Sequence, residues 1–144
     1  MKYGRVLVAD PYARMFEGIR VLLEEIFETV AIVVDGISFL EVTKELQPEL
    51  VIMDLSLKDR GGINPFLRFR SLFANIKCII LSVDDDQIFA RWAIENGADG
   101  FVLKKTAGDE LILAVKEVLE GTRYISPGVC MDYGLRKSSP SWGE

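Results

Sequence analysis

The sequence predicts an α/β protein in which five parallel strands alternate with five helices in a doubly wound sheet. Five short apolar runs alternate with five stretches of helical periodicity along the chain. Continuous apolar runs are typical of parallel strands covered on both faces, and right-handed crossovers then place helices on both sides of the sheet. At 144 residues the chain is the size of one domain, or of one domain with a short tail.

Each apolar run ends at a polar residue, and each helical stretch carries start or stop signals. Asn64-Pro65 is typical of a helix N-terminus, Thr106 with Asp109 resembles a capping box, and Asn96-Gly97 is typical of a helix end. The runs cover residues 6–9, 30–34, 50–53, 78–81 and 101–103, and the helical stretches cover residues 15–27, 39–46, 65–73, 84–96 and 106–119.

A change of composition after the last helix predicts a boundary. Residues 124–144 contain two prolines, three glycines and a serine cluster, so we assign residues 1–123 to the folded domain and 124–144 to a linker or tail. Tyr124 and Ile125 are candidates for a short ordered start of that tail.

The composition excludes several classes of function. The chain contains no histidine, so His-based acid–base catalysis, Ser-His or Cys-His triads and zinc sites with His ligands are absent from it. A net charge of −5 argues against direct nucleic-acid binding. Cys78 and Cys130 are too few for a disulfide framework, and no apolar stretch suits a signal peptide or a membrane span. We therefore expect a cytoplasmic protein.

Four polar residues follow four of the predicted strands: Asp10, Asp54, Ser82 and Lys104. Each alone has an ordinary explanation as a cap, a loop acid or a solvated side chain. Because ligands of open parallel sheets bind beyond the carboxyl ends of the strands, four such residues at one edge predict a functional site. Carboxylates suit Mg²⁺, a carboxylate beside such an ion can accept a phosphoryl group, and a lysine and a hydroxyl can hold the phosphoryl oxygens.

Seven stretches of the chain form an ordered set of motifs: residues 6–10, 17–20, 48–55, 61–63, 80–82, 96–104 and 120–127. This set resembles the receiver domains of two-component response regulators, over about residues 4–130. Residues 120–127 resemble the end of receivers that precede LuxR-type DNA-binding domains in transcription regulators. The resemblance implies a flavodoxin-like strand order, 2-1-3-4-5.

By this resemblance the protein is a signalling module and not an enzyme. Asp54 is the phosphate acceptor, paired with Lys104, and Ser82 and the aromatic Phe101 form the switch. Asp10, Asp54 and the backbone carbonyl of Ser56 are the metal ligands, and the side chains at Ser56 and Asp84 tune dephosphorylation. The implied partners are a sensor histidine kinase or phosphotransfer protein and, through the fourth helix, fifth strand and fifth helix, an output domain or a second copy.

One departure from the family pattern concerns the metal. Proline occupies position 11, where the family has a second acid that contacts the metal directly, so we expect weak Mg²⁺ binding and slow phosphorylation. Lys58 stands where a proline is common, and nearby Asp59 is a candidate replacement carboxylate that we do not favour.

Two other functions stay open at this point. Because of Pro11, the chain is alternatively a receiver-like protein-interaction module with impaired metal-dependent phosphorylation. A flavin- or nucleotide-binding protein on a similar sheet ranks lower, since neither a G-x-G-x-x-G nor a P-loop motif follows the first strand. Trp92 either covers the edge of the core or belongs to an apolar docking patch beside Phe101.

Overall fold

The computed structural model describes residues 1–129, which form a six-stranded parallel sheet flanked by helices on both faces. The strands are β1 (Tyr3–Ala9), β2 (Phe27–Val33), β3 (Leu50–Asp54), β4 (Lys77–Ser82), β5 (Gly100–Leu103) and β6 (Tyr124–Ile125). The helices are α1 (Glu17–Ile26), α2 (Phe39–Leu46), α3 (Phe66–Leu72), α4 (Gln87–Glu95) and α5 (Ala107–Leu119), with 3-10 turns at Ala13–Phe16 and Lys104–Thr106.

The strand order confirms the predicted doubly wound topology. The sheet runs β2-β1-β3-β4-β5-β6, so the predicted order 2-1-3-4-5 is present and a sixth strand extends it. All neighbouring strands are parallel, and the register aligns the carboxyl ends of the central strands: Ala9 pairs with Met53, and Ser82 with Leu103. The last residues of β1, β3, β4 and β5 therefore lie at one edge.

The core has two halves because side chains alternate between the two faces of each strand. Along β3, Val51 and Met53 pack on the face that carries α2, α3 and α4, whereas Leu50 and Ile52 pack on the face that carries α1 and α5. Cys78 lies in the first half, as predicted for a core residue. Burial raises the pKa of its thiol, because the thiolate would lose its hydration. Cys130 lies outside the described residues.

Two local predictions were wrong in detail. Phe27 was assigned to the first helix, but it is the first residue of β2, where it is buried and pairs with Tyr3 of β1. Helix α1 ends at Ile26, so no residue separates the helix from the strand. The capping box at Thr106 does not form: its hydroxyl lies 3.5 Å from the Leu103 carbonyl and caps no amide of α5.

The predicted tail begins with ordered structure. Tyr124 and Ile125 pair with Gly100 and Phe101 of β5, and Ser126 and Val129 are buried. Packing on the sheet therefore continues at least to Val129, past the boundary placed at residue 123. The rest of the proposed linker, residues 130–144, lies outside the described residues. Within residues 1–129, no helix has the length and apolar character needed to cross a membrane.

Two loops at the carboxyl edge touch through a glycine. The Gly36 N–H donates a hydrogen bond to the Lys58 carbonyl at 2.9 Å, and a Cβ added at Gly36 would lie 2.7 Å from that carbonyl oxygen. The absence of a side chain at Gly36 thus allows the β2–α2 loop to support the loop that follows Asp54.

We predict that Gly36→Ala lowers the free energy of unfolding by about 1–3 kcal/mol, because the methyl group pushes backbone against backbone. Urea denaturation measures the loss. Gly18→Ala is the matched control, since the same methyl group there meets nothing within 4 Å. Equal stabilities for the two variants would contradict the close approach.

Candidate functional site

The four predicted strand-end residues come together at the carboxyl edge of the sheet. Asp10 follows β1, Asp54 ends β3, Ser82 ends β4 and Lys104 follows β5, and all four are buried. Buried charged groups require compensating partners, and the three charged residues of this set find them in one another.

Lys104 bridges the two carboxylates. Its Nζ lies 2.7 Å from Asp10 Oδ2 and 2.6 Å from Asp54 Oδ2, and the exposed fractions of the three side chains are 2%, 2% and 6% for Lys104, Asp10 and Asp54. One ammonium between two carboxylates leaves a formal net charge of −1 in a pocket almost closed to solvent. Such a cluster attracts a cation and holds an acidic oxygen beside a fixed positive charge.

The second oxygen of each carboxylate is held by the backbone. Asp54 Oδ1 accepts a hydrogen bond from the Ser56 N–H at 2.6 Å, and Asp10 Oδ1 accepts one from the Tyr12 N–H at 2.8 Å. In each acid, one oxygen therefore contacts the backbone amide two residues later in the chain, and the other contacts the Lys104 ammonium. This division fixes the orientation of both carboxylates before any ligand binds.

The Tyr12 ring covers part of the pocket. Lys104 Nζ lies 5.4 Å from the ring centroid, within the range of a cation–π contact, and the ring is half exposed. Tyr12 was not predicted from the sequence as part of the site. No motif marks Tyr12, because its position depends on the turn that follows Asp10.

Asn64 supports the loop that follows β3, the strand that ends at Asp54. Its side-chain N–H group donates to the carbonyls of Leu55 at 3.0 Å and Leu57 at 2.9 Å, and its Oδ1 accepts from the Phe66 N–H at 2.8 Å. The sequence marked Asn64 as a helix start, and α3 does begin two residues later. Its second role, tying α3 to the Asp54 loop, was not predicted.

The residues present offer the type of ligand atom that magnesium prefers, but they offer few of them. Asp10, Asp54 and the Ser56 carbonyl offer oxygens, which Mg²⁺ prefers. Pro11 adds none, and both Oδ2 atoms already face Lys104. Asp59 does not replace the missing acid, since its Oδ1 accepts from the amides of Gly61 and Ile63. Among residues 1–129, no group of three or more acidic, cysteine or histidine side chains could hold a metal ion.

The hydroxyl predicted as a switch is engaged in its own loop. Ser82 Oγ donates to the Asp84 carbonyl at 2.9 Å and accepts from the Asp84 N–H at 3.0 Å. The Asp84 carboxylate in turn accepts from the Asp86 N–H. Phe101 is fully buried in the core half that carries α4, so its ring is directed inward while Ser82 stays bonded to Asp84.

Trp92 contacts the core and is also partly accessible. Its ring centroid lies 5.7 Å from that of Phe66, and 38% of the residue is exposed. Trp92 therefore covers the edge of the core, which was the first of the two interpretations from the sequence. Ile88 and Phe89 of the same helix remain exposed, at 70% and 47%.

These observations define a class of protein: an open parallel α/β sheet with a buried acid–lysine–acid cluster at its carboxyl edge. The model of one protein family, the response regulator receiver domain, matches residues 6–116 of this chain. The chain therefore belongs to the response regulator receiver domain family, and the resemblance of its motifs to two-component receivers is confirmed.

Curated relatives are transcription regulators. The chain is 30% identical over 127 residues to the transcriptional regulatory protein DegU of Brevibacillus brevis, covering 87% of this chain and 54% of that protein. It is 32% identical over 123 residues to the virulence factors putative positive transcription regulator BvgA of Bordetella pertussis, covering 85% of this chain and 59% of that protein. The chain thus spans a little over half the length of these relatives.

Solved structures share the fold. A LuxR-family two-component response regulator from Aurantimonas sp. SI85-9A1 is 31% identical with a TM-score of 0.78, and the match covers 87% of this chain and 91% of that one. The isolated REC domain of RcsB from Salmonella enterica serovar Typhimurium, solved with phosphomimetic BeF3-, has a TM-score of 0.78 at 21% identity, with 94% and 100% coverage. The second likeness shows the fold alone.

We predict that Lys104→Met destabilises the protein by about 3–5 kcal/mol at neutral pH, because two buried carboxylates lose their shared cation. Urea denaturation measures the change.

Lys105→Met is the matched control for this experiment. Lys105 is exposed, and its nearest described acid, Asp85, is 3.7 Å away at the surface, so the change should stay within about 0.5 kcal/mol. Similar losses for the two variants would contradict the role of the buried bridge.

Proposed function

We propose that the chain accepts a phosphoryl group on Asp54 from a phosphohistidine of a sensor histidine kinase or phosphotransfer protein. The observation that carries the proposal is the 2.6 Å contact between Lys104 Nζ and Asp54 Oδ2 inside a buried pocket of a receiver fold. A carboxylate that is ionised and fixed beside a positive charge is suited to attack phosphorus and to stabilise the product.

The transfer is a simple displacement. A carboxylate oxygen of Asp54 forms a bond to phosphorus while the bond from phosphorus to the donor imidazole breaks, and the imidazole leaves with the electron pair of that bond. Lys104 neutralises charge on the transferred group, and the Ser56 N–H, which already donates to Asp54, holds the carboxylate in place. Asp10 holds the other side of the lysine. The chain is a substrate and signal carrier in this reaction and not a classical enzyme.

Mg²⁺ is the ion that the family uses generally, and Asp10, Asp54 and the Ser56 carbonyl are the groups that would hold it here. When bound, the ion would supply further positive charge for the phosphoryl oxygens. Since Pro11 contributes no oxygen, we propose weak binding of this ion.

Phosphorylation changes the output face by a shift of population. Ser82 leaves Asp84 to reach a phosphoryl oxygen, and the packing around Phe101 follows, which alters the face formed by α4, β5 and α5. We propose that an output domain or a second copy binds there, in a cytoplasmic transcription regulator. With a net charge of −5 the chain itself does not bind nucleic acid directly.

A second candidate function rests on Pro11. If the missing acid prevents phosphorylation, the chain acts as a receiver-like interaction module that binds its partner without a phosphoryl signal. The same output face and the same buried bridge serve this function, so the discrimination must come from experiment.

Beryllofluoride, a phosphoryl mimic, tests the acceptor. With millimolar Mg²⁺ we expect amide NMR shifts around Asp54, Ser82 and Phe101 in the unmodified chain. Asp54→Ala should abolish them, because it removes the oxygen to which the mimic binds. Glu41→Gln, an exposed acid on α2, is the control and should respond like the unmodified chain. No shifts in the unmodified chain would count against phosphorylation.

Substitutions of Pro11 separate the two functions. Pro11→Asp should accelerate labelling of Asp54 by a small phosphoryl donor such as acetyl phosphate, because it adds a carboxylate for Mg²⁺. Pro11→Ala removes the proline ring without adding an oxygen and should stay as slow as the unmodified chain. If only Pro11→Asp is labelled, the interaction module stands and the proposed phosphorylation of the natural chain fails.

A further inference from the structure

Residues 124–129, here called the strap, lie along the outer edge of β5. Within it, β6 pairs Tyr124 with Gly100 and Ile125 with Phe101, and the Ser126 N–H donates to the Phe101 carbonyl at 2.9 Å. Because β6 has only two residues, the Leu103 N–H on this edge of β5 needs a partner beyond the strand.

The Ser126 hydroxyl supplies that partner. The Leu103 N–H donates to Ser126 Oγ at 2.9 Å, and the hydroxyl donates to Glu110 Oε1 at 2.6 Å. The Tyr124 hydroxyl donates to the same Glu110 oxygen at 2.9 Å. Burial raises the pKa of Tyr124, and the hydrogen bond to Glu110 adds to the effect, so the donor keeps its proton at neutral pH. A single buried hydroxyl therefore joins β5, the strap and α5.

The strap also touches the residues that flank the site. Val129 is fully buried in the same half of the core as Phe101 and Leu103, and its N–H donates to the Ser126 carbonyl at 3.0 Å. A Cβ added at Gly128 would lie 2.9 Å from Leu103 Cδ1. Leu103 immediately precedes Lys104, the lysine that bridges the two carboxylates.

We propose that the strap is a coupling segment: it docks on β5 when Lys104 bridges Asp10 and Asp54, and it loosens when Asp54 is occupied. The event that loosens the strap rests on the proposed phosphorylation of Asp54. The coupling of the strap to Lys104 does not depend on that proposal. Release of the strap would make the attachment of the residues that follow Val129 depend on whether Asp54 is occupied.

The physical path is short. A phosphoryl group on Asp54 gives Lys104 new oxygens and draws its ammonium away from Asp10. Lys104 begins the 3-10 turn that joins β5 to α5, so its movement turns the neighbouring Leu103 amide. The Leu103–Ser126 hydrogen bond is directional and weakens when that amide turns. By linkage, a loosened strap must in turn favour occupation of Asp54.

The first test removes the hydroxyl. Ser126→Ala should speed hydrogen exchange of the Leu103 amide about fivefold relative to amides of β3, as expected for the loss of one hydrogen bond. Ser126→Thr keeps the hydroxyl and should restore slow exchange. Ser71→Ala, on the exposed side of α3, is the control. Unchanged exchange at Leu103 in Ser126→Ala would overturn the proposal.

The second test measures coupling to the pocket. Beryllofluoride with Mg²⁺ should speed exchange at Ser126 and Val129 in the unmodified chain and bind Ser126→Ala about fivefold more tightly. The coupling would be overturned if beryllofluoride shifted the NMR signals around Asp54 but left exchange at the strap unchanged and bound the unmodified chain and Ser126→Ala with equal affinity. That result would leave the proposed function standing.

A ligand-free arm decides the case in which beryllofluoride does not bind. Asp54→Asn weakens the ion pair with Lys104, so exchange at Leu103, Ser126 and Val129 should speed up relative to β3. Glu41→Gln should leave it unchanged. If Asp54→Asn does not change exchange at these amides, the coupling of the strap to Lys104 is wrong. This result is independent of whether beryllofluoride binds, which tests the proposed function.

Discussion

Two carboxylates and one ammonium share a pocket almost closed to solvent, and much of the architecture serves this arrangement. Desolvating three charges is costly, and only short contacts and further hydrogen bonds offset the cost. The parallel register of β1, β3 and β5 brings Asp10, Asp54 and Lys104 to one edge, and amides two residues along satisfy the remaining oxygens. Asn64 then fixes the loop above Asp54.

The sequence was sufficient to predict five of the six strands and the four strand-end residues of the site, because those features depend on patterns that extend along the chain. Apolar runs of the β3 kind are typical of strands buried on both faces, and the parallel topology brings the polar residues at their ends to one edge. Phe27 was misassigned because an apolar residue directly after a helix continues the helical period and gives no sign of a strand. The pairing with Tyr3 that determines its conformation is a long-range contact.

The missed residues share a cause: each acts through geometry that no local spacing encodes. Tyr12 reaches Lys104 because of the turn after Asp10, and Ser126 reaches Leu103 because a two-residue strand ends one residue earlier. The absent capping box at Thr106 is the converse case, since the 3-10 turn that positions Lys104 replaces the backbone geometry that a cap requires. Pro11, by contrast, was visible from the sequence, because a missing carboxylate needs no structure to be noticed.

The direct junction between Ile26 and Phe27 has a consequence for how this chain can vary. Where a loop separates a helix from a strand, the loop can accommodate an added residue without moving either element. Here the last turn of α1 leads into an edge strand whose register on β1 is fixed from Tyr3 to Ala9. One inserted residue would either lengthen the helix or slide β2 by a single step, and a single step exchanges the inner and outer faces of a strand. Length variation in this domain is therefore confined to its other connections.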